Sequence, residues 1–355
     1  MRGLVLEGGG AKGAYHIGVV KALFEKGYEF DGYAGTSIGA INAAMMAQGD
    51  FDEAYESWMN ITIEKVIHED TRRAILEESI DEEKIRGSGK DFGLVTVSLT
   101  DLKPYELMLE DIPRGQLVNY IMASSSLPIL HQETINEKKF LDGAFYNNCP
   151  INLLASRNYD EIIVVRTHAF GIFHKTEDPR VKLISPQADL GNVMQFTHES
   201  IVGNIRLGYF DGLRFTEKLL GGAYYIRPVD KDDFNRQIMS LADDVILEAG
   251  RLWGLREMPA KRMLFEKLIP QLGAYMKLGK QFDYADFIIA LLERAAEQKA
   301  IGRFNIYDYD ELRLLVKQAS AEDKRKEPRA VARLLGNSVL SKKKAAVKIL
   351  ADNLL

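Results

Sequence analysis

The chain begins with GLVLEGGGAKG (residues 3–13) and soon reaches YAGTSIG (residues 33–39), two stretches with the same organisation. In each, a short apolar run is followed by glycines and then by residues typical of a helix. A strand, a tight glycine turn and a helix in this order form the unit from which parallel sheets are built. The sequence therefore predicts an α/β fold that starts at its first residues.

The second stretch places Ser37 at the centre of a G-x-S-x-G pattern. A serine on a sharp strand-to-helix turn projects its hydroxyl away from the backbone. The flanking glycines, Gly35 and Gly39, remove the Cβ atoms that would keep strand and helix apart. The start of the following helix directs free N–H groups and the positive end of its dipole towards the same space. Ser37 is therefore the candidate nucleophile, beside a place where an oxyanion would be stabilised.

The first stretch supplies backbone donors. Gly8, Gly9 and Gly10 have no side chains, and consecutive N–H groups of this kind form a nest suited to an anion. In an ester hydrolase the anion is the oxygen of the tetrahedral intermediate, and each donor contributes roughly 2.7–4 kcal/mol in the transition state. Lys12 adds a positive charge near the same helix start, where a solvated surface lysine is the alternative interpretation.

The same glycines also satisfy the dinucleotide-binding pattern G-x-G-x-x-G over residues 8–13, with Glu29 and Asp31 as candidate acidic partners. In that pattern the acidic residue ends the second strand. Here both acidic residues precede the apolar residues 33–34, and the strand ends at the serine turn. The arrangement favours an oxyanion loop and a nucleophile elbow. A lipid- or nucleotide-binding module without catalysis is the alternative.

Composition limits the class of protein. The chain has 355 residues, 46% of them hydrophobic, and a formal net charge of −5. A general nucleic-acid binder would need a clustered basic surface, so nucleic acid is not expected as a partner. The single cysteine, Cys149, excludes an intramolecular disulfide and is expected to be a small buried residue in a reducing compartment. No apolar run reaches the ~18–20 residues of a membrane span, and we expect a cytoplasmic protein without a signal peptide.

Apolar patterns further along the chain predict alternating helices and strands. Helices are expected at residues 11–26, 38–48, 50–78 and 120–128, with Trp58 in the core, and strands at residues 3–7, 29–34, 92–99, 139–142, 160–167 and 181–184. Right-handed crossovers between such strands imply a parallel or mixed sheet with helices on its faces. Asp142 ends one strand and precedes Gly143 and Ala144. Open α/β sheets place their functional sites at the carboxyl ends of strands. Asp142 is therefore a candidate site residue and more than an ordinary turn residue.

Four short motifs in this order resemble the patatin-like phospholipases, lipid acyl hydrolases with an α/β/α sandwich and a Ser-Asp dyad. The motifs are G-G-G-x-[KR]-G at residues 8–13, G-x-S-x-G at 35–39, A-S-[SA]-x-x-P at 123–128 and D-G-[GA] at 142–144. The resemblance covers roughly residues 3–190 and implies a three-layer sandwich with a mixed, mostly parallel sheet. It also implies Ser37 as nucleophile, Asp142 as its base and Gly8, Gly9 and Gly10 as the oxyanion loop. The supporting motif residues are Lys12, Gly13, Gly35, Gly39, Gly143 and Ala144.

The resemblance implies hydrolysis of lipid carboxylic esters, of the phospholipase A or lysophospholipase type, through an acyl-enzyme on Ser37. An unperturbed aspartate, with a pKa of ~3.9, is a weak base, so the site of Asp142 must be partly desolvated. A lipid or phospholipid is the expected substrate, and no metal or cofactor is required. The alternative is a Ser-His-Asp triad with His168, which follows the strand at residues 160–167. An elbow so early in the chain leaves no room for the strands that precede it in triad hydrolases, which favours the dyad.

The second half of the chain matches no motif. We expect an acyl hydrolase domain at residues 3–215 and a helical region of unknown role at residues 216–355, and we predict no oligomeric state. Apolar residues recur at helical spacing between residues 189 and 227, among them Val193 and Phe196. Further helices are expected at residues 258–277, 284–299, 308–318 and 338–355.

The end of the chain is basic. Residues 322–355 contain nine Lys or Arg and four Asp or Glu, and four leucine or valine residues share one face of a helix: Leu340, Val347, Leu350 and Leu354. This pattern is typical either of a helix in peripheral contact with an anionic membrane or of a terminal helix packed on its neighbours. Packing is the favoured interpretation.

Overall fold

The computed structural model of the chain describes residues 1–126, 133–326 and 339–355. The chain divides into two compact units, Met1–Thr216 and Glu217–Leu355. Pro128, the last residue of the third motif, and the side chain of Leu340 lie outside the described residues. Within the described ranges, no helix combines the length and the apolar character that a membrane span requires.

The first unit is an α/β structure. Its strands are β1 (Arg2–Leu6), β2 (Gly32–Thr36), β3 (Asp91–Ser98), β4 (Lys103–Met108), β5 (Thr134–Ile135), β6 (Lys138–Asp142), β7 (Glu161–Val165) and β8 (Val181–Ile184). Its helices are α1 (Ala14–Glu25), α2 (Ile38–Gln48), α3 (Phe51–Met59), α4 (Ile63–Ile67), α5 (Glu69–Ser79), α6 (Glu82–Gly87), α7 (Leu117–Ser124), α8 (Ile151–Ala155) and α9 (His198–Glu217). Three-ten turns span Gly10–Gly13, Leu109–Asp111 and Gly143–Phe145.

The strands form one mixed sheet in the order β5-β6-β3-β2-β1-β7-β8, with β4 also paired to β3. Strands β3, β2, β1, β7 and β8 run parallel to their neighbours in that order. The pairs β3–β4, β3–β6 and β5–β6 are antiparallel. With helices flanking the sheet, this arrangement confirms the predicted α/β fold. Parallel neighbours need crossover connections, which place α1 and α2 between successive strands.

The central strands are buried on both faces. Leu4, Val5 and Leu6 of β1 are each 0% exposed, as expected for a parallel strand that is a continuous apolar run. One face of the sheet packs against α8 in a cluster that includes Val5 and Leu154. Cys149 belongs to the same cluster and is 1% exposed, which confirms that it is a small buried residue.

Strand β3 brings the carboxyl ends of two other strands together. Residues 93–95 pair with both β2 and β4, so those two strands lie on opposite edges of β3. Thr96 pairs with β4 on one edge and with Asp142 of β6 on the other, so β6 shares an edge with β2. Because β2 and β6 run in opposite directions, they meet end to end, one at Thr36 and the other at Asp142. This register brings Ser37 and Asp142 together although they are far apart in sequence.

Helices α1 and α9 approach each other closely at two glycines. A Cβ on Gly18 would lie 1.9 Å from the carbonyl oxygen of Ile205, and a Cβ on Gly208 would lie 2.1 Å from that of Tyr15. The hydroxyl of Tyr15 donates to Oδ2 of Asp211 at 2.9 Å within this contact. The helix pair therefore depends on backbone-to-backbone packing, which leaves little trace in an apolar pattern.

Two predicted helical stretches are interrupted. Residues 189–197 form an irregular segment before α9, so the predicted helix through Val193 and Phe196 is wrong there; Pro186 and Gly191 disfavour a helix in this part. The stretch at residues 50–78 divides into α3, α4 and α5. Trp58 of α3 is 5% exposed, which confirms its burial.

The second unit is mainly helical, as predicted for this region. Its helices are α10 (Lys231–Met239), α11 (Asp243–Trp253), α12 (Ala260–Met263), α13 (Ile269–Tyr275), α14 (Tyr284–Gln298), α15 (Tyr309–Lys326) and α16 (Val339–Leu354), with a π-helical turn at Leu264–Leu268 and a two-stranded pair of β9 (Tyr225–Ile226) and β10 (Ile306–Tyr307). In α16, Val347, Leu350 and Leu354 are 6%, 0% and 1% exposed within the core of this unit. The helix is therefore packed on its neighbours, and this apolar face is not available for the membrane contact considered from the sequence.

Candidate active site

Ser37 occupies the sharp turn between β2 and α2. Its φ of 57° and ψ of −128° lie in a region that residues other than glycine rarely adopt, and strained conformations of this kind are concentrated at functional sites. A Cβ on Gly35 would lie 2.2 Å from the carbonyl group of Gly39, and a Cβ on Gly39 would lie 2.1 Å from the carbonyl oxygen of Leu6. Both flanking positions therefore require glycine, because the backbones of strand and helix touch there.

A buried serine at the end of α7 holds this turn in place. The hydroxyl of Ser124 donates to the carbonyl of Val95 in β3 at 2.7 Å and accepts the backbone N–H of Ser37 at 3.0 Å. Ser124 is 0% exposed. In the sequence it is recognisable only as part of a serine-rich motif, because both of its partners come from distant strands. The bond also occupies the N–H of Ser37, which is therefore not free to serve as an oxyanion donor.

Asp142 is 1% exposed at the end of β6. Its Oδ1 accepts the backbone N–H of Ala144 at 2.8 Å, and the side chain of Ser37 is close enough to lower the pKa of the carboxyl. Burial raises the pKa of the Asp142 carboxyl from an ordinary 3.8 to about 6, against the opposing effects of the Ala144 N–H, the Ser37 side chain and the positive charge of Arg72. Such a carboxylate is roughly a hundredfold stronger as a base than an ordinary aspartate, yet it stays mostly ionised at pH 7.

The glycine loop contributes fewer donors than the sequence predicts. The N–H of Gly8 donates to the carbonyl of Asn148 at 2.9 Å, so the prediction of Gly8 as an oxyanion donor does not fit the structure. The N–H groups of Gly9 and Gly10 have no hydrogen-bond partner among the described residues. Gly10 has a φ of 55°, and a Cβ there would lie 2.3 Å from the carbonyl oxygen of Val193, so only glycine fits. Gly9 and Gly10 are the two donors that stay available.

A buried ion pair between Glu7 and Arg166 and the hydrogen bonds around it, the network below the glycine loop, hold this loop in place. Glu7 is 1% exposed, and its Oε1 accepts a bond of 2.8 Å from the guanidinium of Arg166. Its Oε2 accepts the backbone N–H groups of Thr167 and His168 at 2.6 and 2.9 Å. The hydroxyl of Thr167 donates to the carbonyl of Gly8 at 2.6 Å. The network joins the end of β1 to the end of β7, and removal of one partner would leave a buried charge uncompensated.

Two largely apolar chambers meet at Ser37. The larger chamber lies among α2, α3, α4 and α5, and its apolar wall includes Ile41, Met45, Trp58, Leu76 and Phe196. The smaller chamber lies against Asp142 and the glycine loop, and its apolar wall includes Phe145, Phe170 and Met194. Ser37, Gly10 and Met194 line both chambers. The hydroxyl of Ser37 lies where the two chambers join. This position suits an ester whose acyl side and alcohol side extend into different apolar chambers.

The wall of the larger chamber is held by a small polar network. The indole Nε1–H of Trp58 donates to Oδ1 of Asn42 at 2.9 Å, and Nδ2 of Asn42 donates to the carbonyl of Gly13 at 3.1 Å. The ring of Trp58 stacks on that of Phe196, with centroids 6.4 Å apart and an angle of 14° between planes. The chamber is therefore preformed around its aromatic side chains.

His168 stands apart from the Ser37–Asp142 pair. It lines neither chamber, and its backbone has a φ of 50°. Burial and the positive charges of Arg166 and Lys12 lower the pKa of its imidazole, while Glu7 opposes the shift. A triad histidine has to lie between the serine and the aspartate. The charged groups that act on His168 are instead Glu7 and Arg166 of the buried ion pair and Lys12 of the three-ten turn.

The remaining motif residues have different roles. Lys12 lies in the three-ten turn Gly10–Gly13, and Ala144 supplies the N–H that bonds to Asp142. The two glycines allow close packing. A Cβ on Gly13 would lie 2.7 Å from the side chain of Ile38, and a Cβ on Gly143 would lie 2.1 Å from the carbonyl oxygen of Val95.

Two further side chains of the site were not predicted from the sequence. Arg72 lines the larger chamber, but an arginine in a charged helix gives no sequence signal of burial. Asn148 lines the smaller chamber and is 1% exposed, and neither polar atom of its side chain has a partner among the described residues. Its position in the turn that follows Asp142 is the signal that could have identified it.

The first part of the chain is similar to proteins of a known family. Residues 4–155 match the family model for patatin-like phospholipases. An uncharacterized NTE family protein of Mycobacterium tuberculosis is 31% identical over 178 residues, covering 46% of this chain and 48% of that protein. Lysophospholipase NTE1 of Saccharomyces cerevisiae is 26% identical over 264 residues, covering 64% of this chain and 15% of that protein. The aligned part thus spans about half the length of the mycobacterial relative and a small part of the yeast enzyme.

Among solved structures, VipD from Legionella pneumophila aligns over 99% of this chain and 91% of its own, with a TM-score of 0.44 and 11% sequence identity.

Proposed function

Because residues 4–155 form a patatin-like phospholipase domain, we propose that the chain is a serine acyl hydrolase that cleaves lipid carboxylic esters with Ser37 as nucleophile and Asp142 as base. The family match and the lysophospholipases among its relatives support lipid hydrolase activity. The observation that carries the finer assignment is the buried Asp142 carboxylate, which has a raised pKa and lines the smaller chamber together with Ser37 at its strained turn.

In the first half of the reaction, the Asp142 carboxylate accepts the proton of the Ser37 hydroxyl while the hydroxyl oxygen attacks the ester carbonyl carbon. The negative charge moves to the carbonyl oxygen, which the N–H groups of Gly9 and Gly10 stabilise. When the tetrahedral intermediate collapses, the bond to the alcohol oxygen breaks and Asp142 returns its proton to that oxygen. The products of this step are a free alcohol and an acyl-enzyme on Ser37.

In the second half, a water molecule replaces the alcohol. Asp142 accepts a proton from the water as its oxygen attacks the acyl carbonyl carbon, and the same N–H groups stabilise the second oxyanion. Collapse breaks the bond to Oγ of Ser37, which takes the proton back from Asp142. The acid is released and the enzyme returns to its starting state, with Asp142 ionised.

The dyad accounts for the site better than a triad does. The groups that act on the pKa of Asp142 are the N–H of Ala144, the side chain of Ser37 and the charge of Arg72. His168 is exposed, and the charged groups that act on its pKa are Arg166, Glu7 and Lys12. A base that contacts the serine directly needs a raised pKa, and burial of Asp142 provides one.

An esterase assay with a short-chain p-nitrophenyl ester tests this proposal. We expect Ser37→Ala and Asp142→Asn each to lower kcat by about a thousandfold or more, because each removes a member of a unit that acts together. His168→Ala should keep kcat within about threefold of the unchanged protein. Equal rates for the unchanged protein and Ser37→Ala would favour a binding module, and a large loss in His168→Ala alone would favour the triad.

The mouth of the smaller chamber supports access from a lipid surface. Phe145 and Phe170 are 44% and 87% exposed, and both line this chamber. Exposed aromatic side chains beside an apolar site are typical of contact with lipid. We expect Phe170→Ser to lower hydrolysis of vesicle-bound lipid more than hydrolysis of a soluble ester. Leu102→Ser is the control, because Leu102 is 85% exposed and lines neither chamber; equal effects of the two substitutions would contradict contact at this mouth.

A further inference from the structure

The wall of the larger chamber contains positive charge and, among the described residues, no carboxylate. Two of its lining residues are cationic, Lys65 of α4 and Arg72 of α5, and none of the described residues in its wall is acidic. The rest of the wall is apolar or neutral. A cation does not stabilise an uncharged acyl chain. The positive charge therefore indicates a ligand that carries an anionic group as well as an acyl chain.

Arg72 lines the same chamber as Ser37. Its positive charge acts on the Asp142 carboxylate, and its Nε is buried without a hydrogen-bond partner in the ranges that the structure describes. Burial is the main influence on the Arg72 guanidinium and lowers its pKa, while the charges of Glu69 and Glu133 raise it. A guanidinium offers five N–H donors in one plane, and a buried donor without an acceptor is unfavourable.

The neighbouring Arg73 has a different environment. Its guanidinium donates to Oδ1 of Asn119 at 2.8 Å and to Oε1 of Glu133 at 2.6 Å. Glu133 is 5% exposed, so this ion pair is partly buried. Arg73 therefore engages the carboxylate of Glu133, and Arg72 forms no ion pair within the described residues. Of two successive arginines on α5, one is satisfied inside the protein and the other is left at the chamber.

Resting on the acyl hydrolase function proposed above, we propose that Arg72 binds the phosphate of a glycerophospholipid whose ester lies at Ser37. The two unesterified oxygens of a phosphodiester match the planar fork of a guanidinium. Only the glycerol carbons separate this phosphate from the nearest ester, and Arg72 lines the same chamber as Ser37, where that ester would lie. The acyl chain then lies along the apolar wall of the larger chamber. A monoacylglycerol presents the same ester without the anion and gains nothing from Arg72.

A matched pair of substrates tests this assignment. Lysophosphatidylcholine and monoacylglycerol with the same short acyl chain, both below the concentration at which they form micelles, differ in the phosphocholine group. Lysophosphatidylcholine has no net charge, so general attraction to the protein does not enter the comparison. The quantity to measure is the ratio of kcat/KM for the two substrates in the unchanged protein, in Arg72→Gln and in the control Arg73→Gln.

We expect Arg72→Gln to lower this ratio by about ten- to a hundredfold, the usual effect of removing a hydrogen bond to a charged group. The loss should lie mainly in KM, and Arg72→Lys should restore part of the ratio because it restores a cation. Arg73→Gln should leave the ratio unchanged even if it lowers stability, since its partners are Asn119 and Glu133.

Three results would overturn the assignment while leaving the hydrolase intact. Equal losses for both substrates would mean that Arg72 acts through the charge of Asp142. An unchanged ratio combined with weaker inhibition by the released fatty acid would mean that it binds a product carboxylate. A ratio that falls equally in Arg73→Gln would mean that α5 acts only as a structural element. If the unchanged protein cleaves neither substrate, the proposed function itself fails.

Discussion

Replacement of Asp142 by asparagine should make the first unit more stable at neutral pH while it abolishes catalysis. The side chain is 1% exposed, and burial raises the pKa of its carboxyl from 3.8 to about 6. Above that pKa the folded protein holds a charge that the unfolded chain would solvate better. Asparagine keeps the shape and an oxygen for the N–H of Ala144, but it has no charge to bury.

The size of the effect and its pH dependence follow from linkage. A rise in pKa from 3.8 to about 6 corresponds to about 3 kcal/mol, as an upper estimate, by which the ionised carboxyl destabilises the fold. Between these two values the folded state binds more protons than the unfolded state, so stability falls as pH rises through this window. The gain in Asp142→Asn should therefore be about 1–3 kcal/mol near pH 8 and close to zero near pH 4.

Urea unfolding followed by tryptophan fluorescence measures this difference. The chain has two tryptophans, and substitution of Trp253 by phenylalanine leaves Trp58 to report on the first unit. Asp52→Asn is a control, because Asp52 is an exposed residue of α3 and its substitution should give no comparable rise in stability with pH. An Asp142→Asn variant that is no more stable near pH 8, or whose gain is the same near pH 4, would refute a desolvated, ionised Asp142.

Two other predictions concern Asp142 and the turn at Ser37. The logarithm of kcat/KM for a soluble ester should fall with a slope of about one per pH unit below about pH 6, because Asp142 must be ionised to accept a proton; activity that persists unchanged to about pH 4 would contradict this role. Ser124→Ala should lower kcat more than it changes KM and should cost about 1–3 kcal/mol in urea unfolding, since it leaves the N–H of Ser37 and the carbonyl of Val95 without partners. An unchanged kcat in this variant would show that the turn does not depend on that bond.

The parts of the site that the sequence predicted are those determined by local backbone geometry. Helix α2 has the predicted bounds, Ile38–Gln48, because small residues and the glycine that follows leave few alternatives. Gly35 and Gly39 were predicted from the close approach of strand and helix, and distances near 2 Å from their hypothetical Cβ atoms agree. The pairing of Ser37 with Asp142 came from resemblance to a family. Its physical cause, the meeting of β2 and β6 on one edge of β3, is a property of the sheet register, which a single sequence does not specify.

The features that escaped prediction depend on contacts between distant segments. Strand β4 has charged residues, a proline and half-exposed positions, which hide an antiparallel strand next to β3. Val193 and Phe196 have helical spacing, but they lie in an irregular segment that borders the two chambers. Gly8 looked equivalent to its two neighbours until the structure showed its N–H bonded to Asn148. In each case the residue type allowed several environments, and tertiary contacts selected one.

Two buried carboxylates near the glycine loop have different surroundings, which indicate a structural role for one and a catalytic role for the other. Glu7 and Asp142 are each 1% exposed, so burial alone does not distinguish them. Glu7 is bonded to the guanidinium of Arg166 and to two backbone N–H groups, which compensate its charge and commit both oxygens. Asp142 has one backbone N–H and the side chain of Ser37, and burial dominates its pKa. Opposite roles for two nearby carboxylates arise from such differences in environment. Because Asp142 combines an accessible proton partner with a raised proton affinity, the base is expected at that position. Glu7, whose two oxygens are bonded to Arg166 and to backbone N–H groups, is expected to fix the loop that faces it.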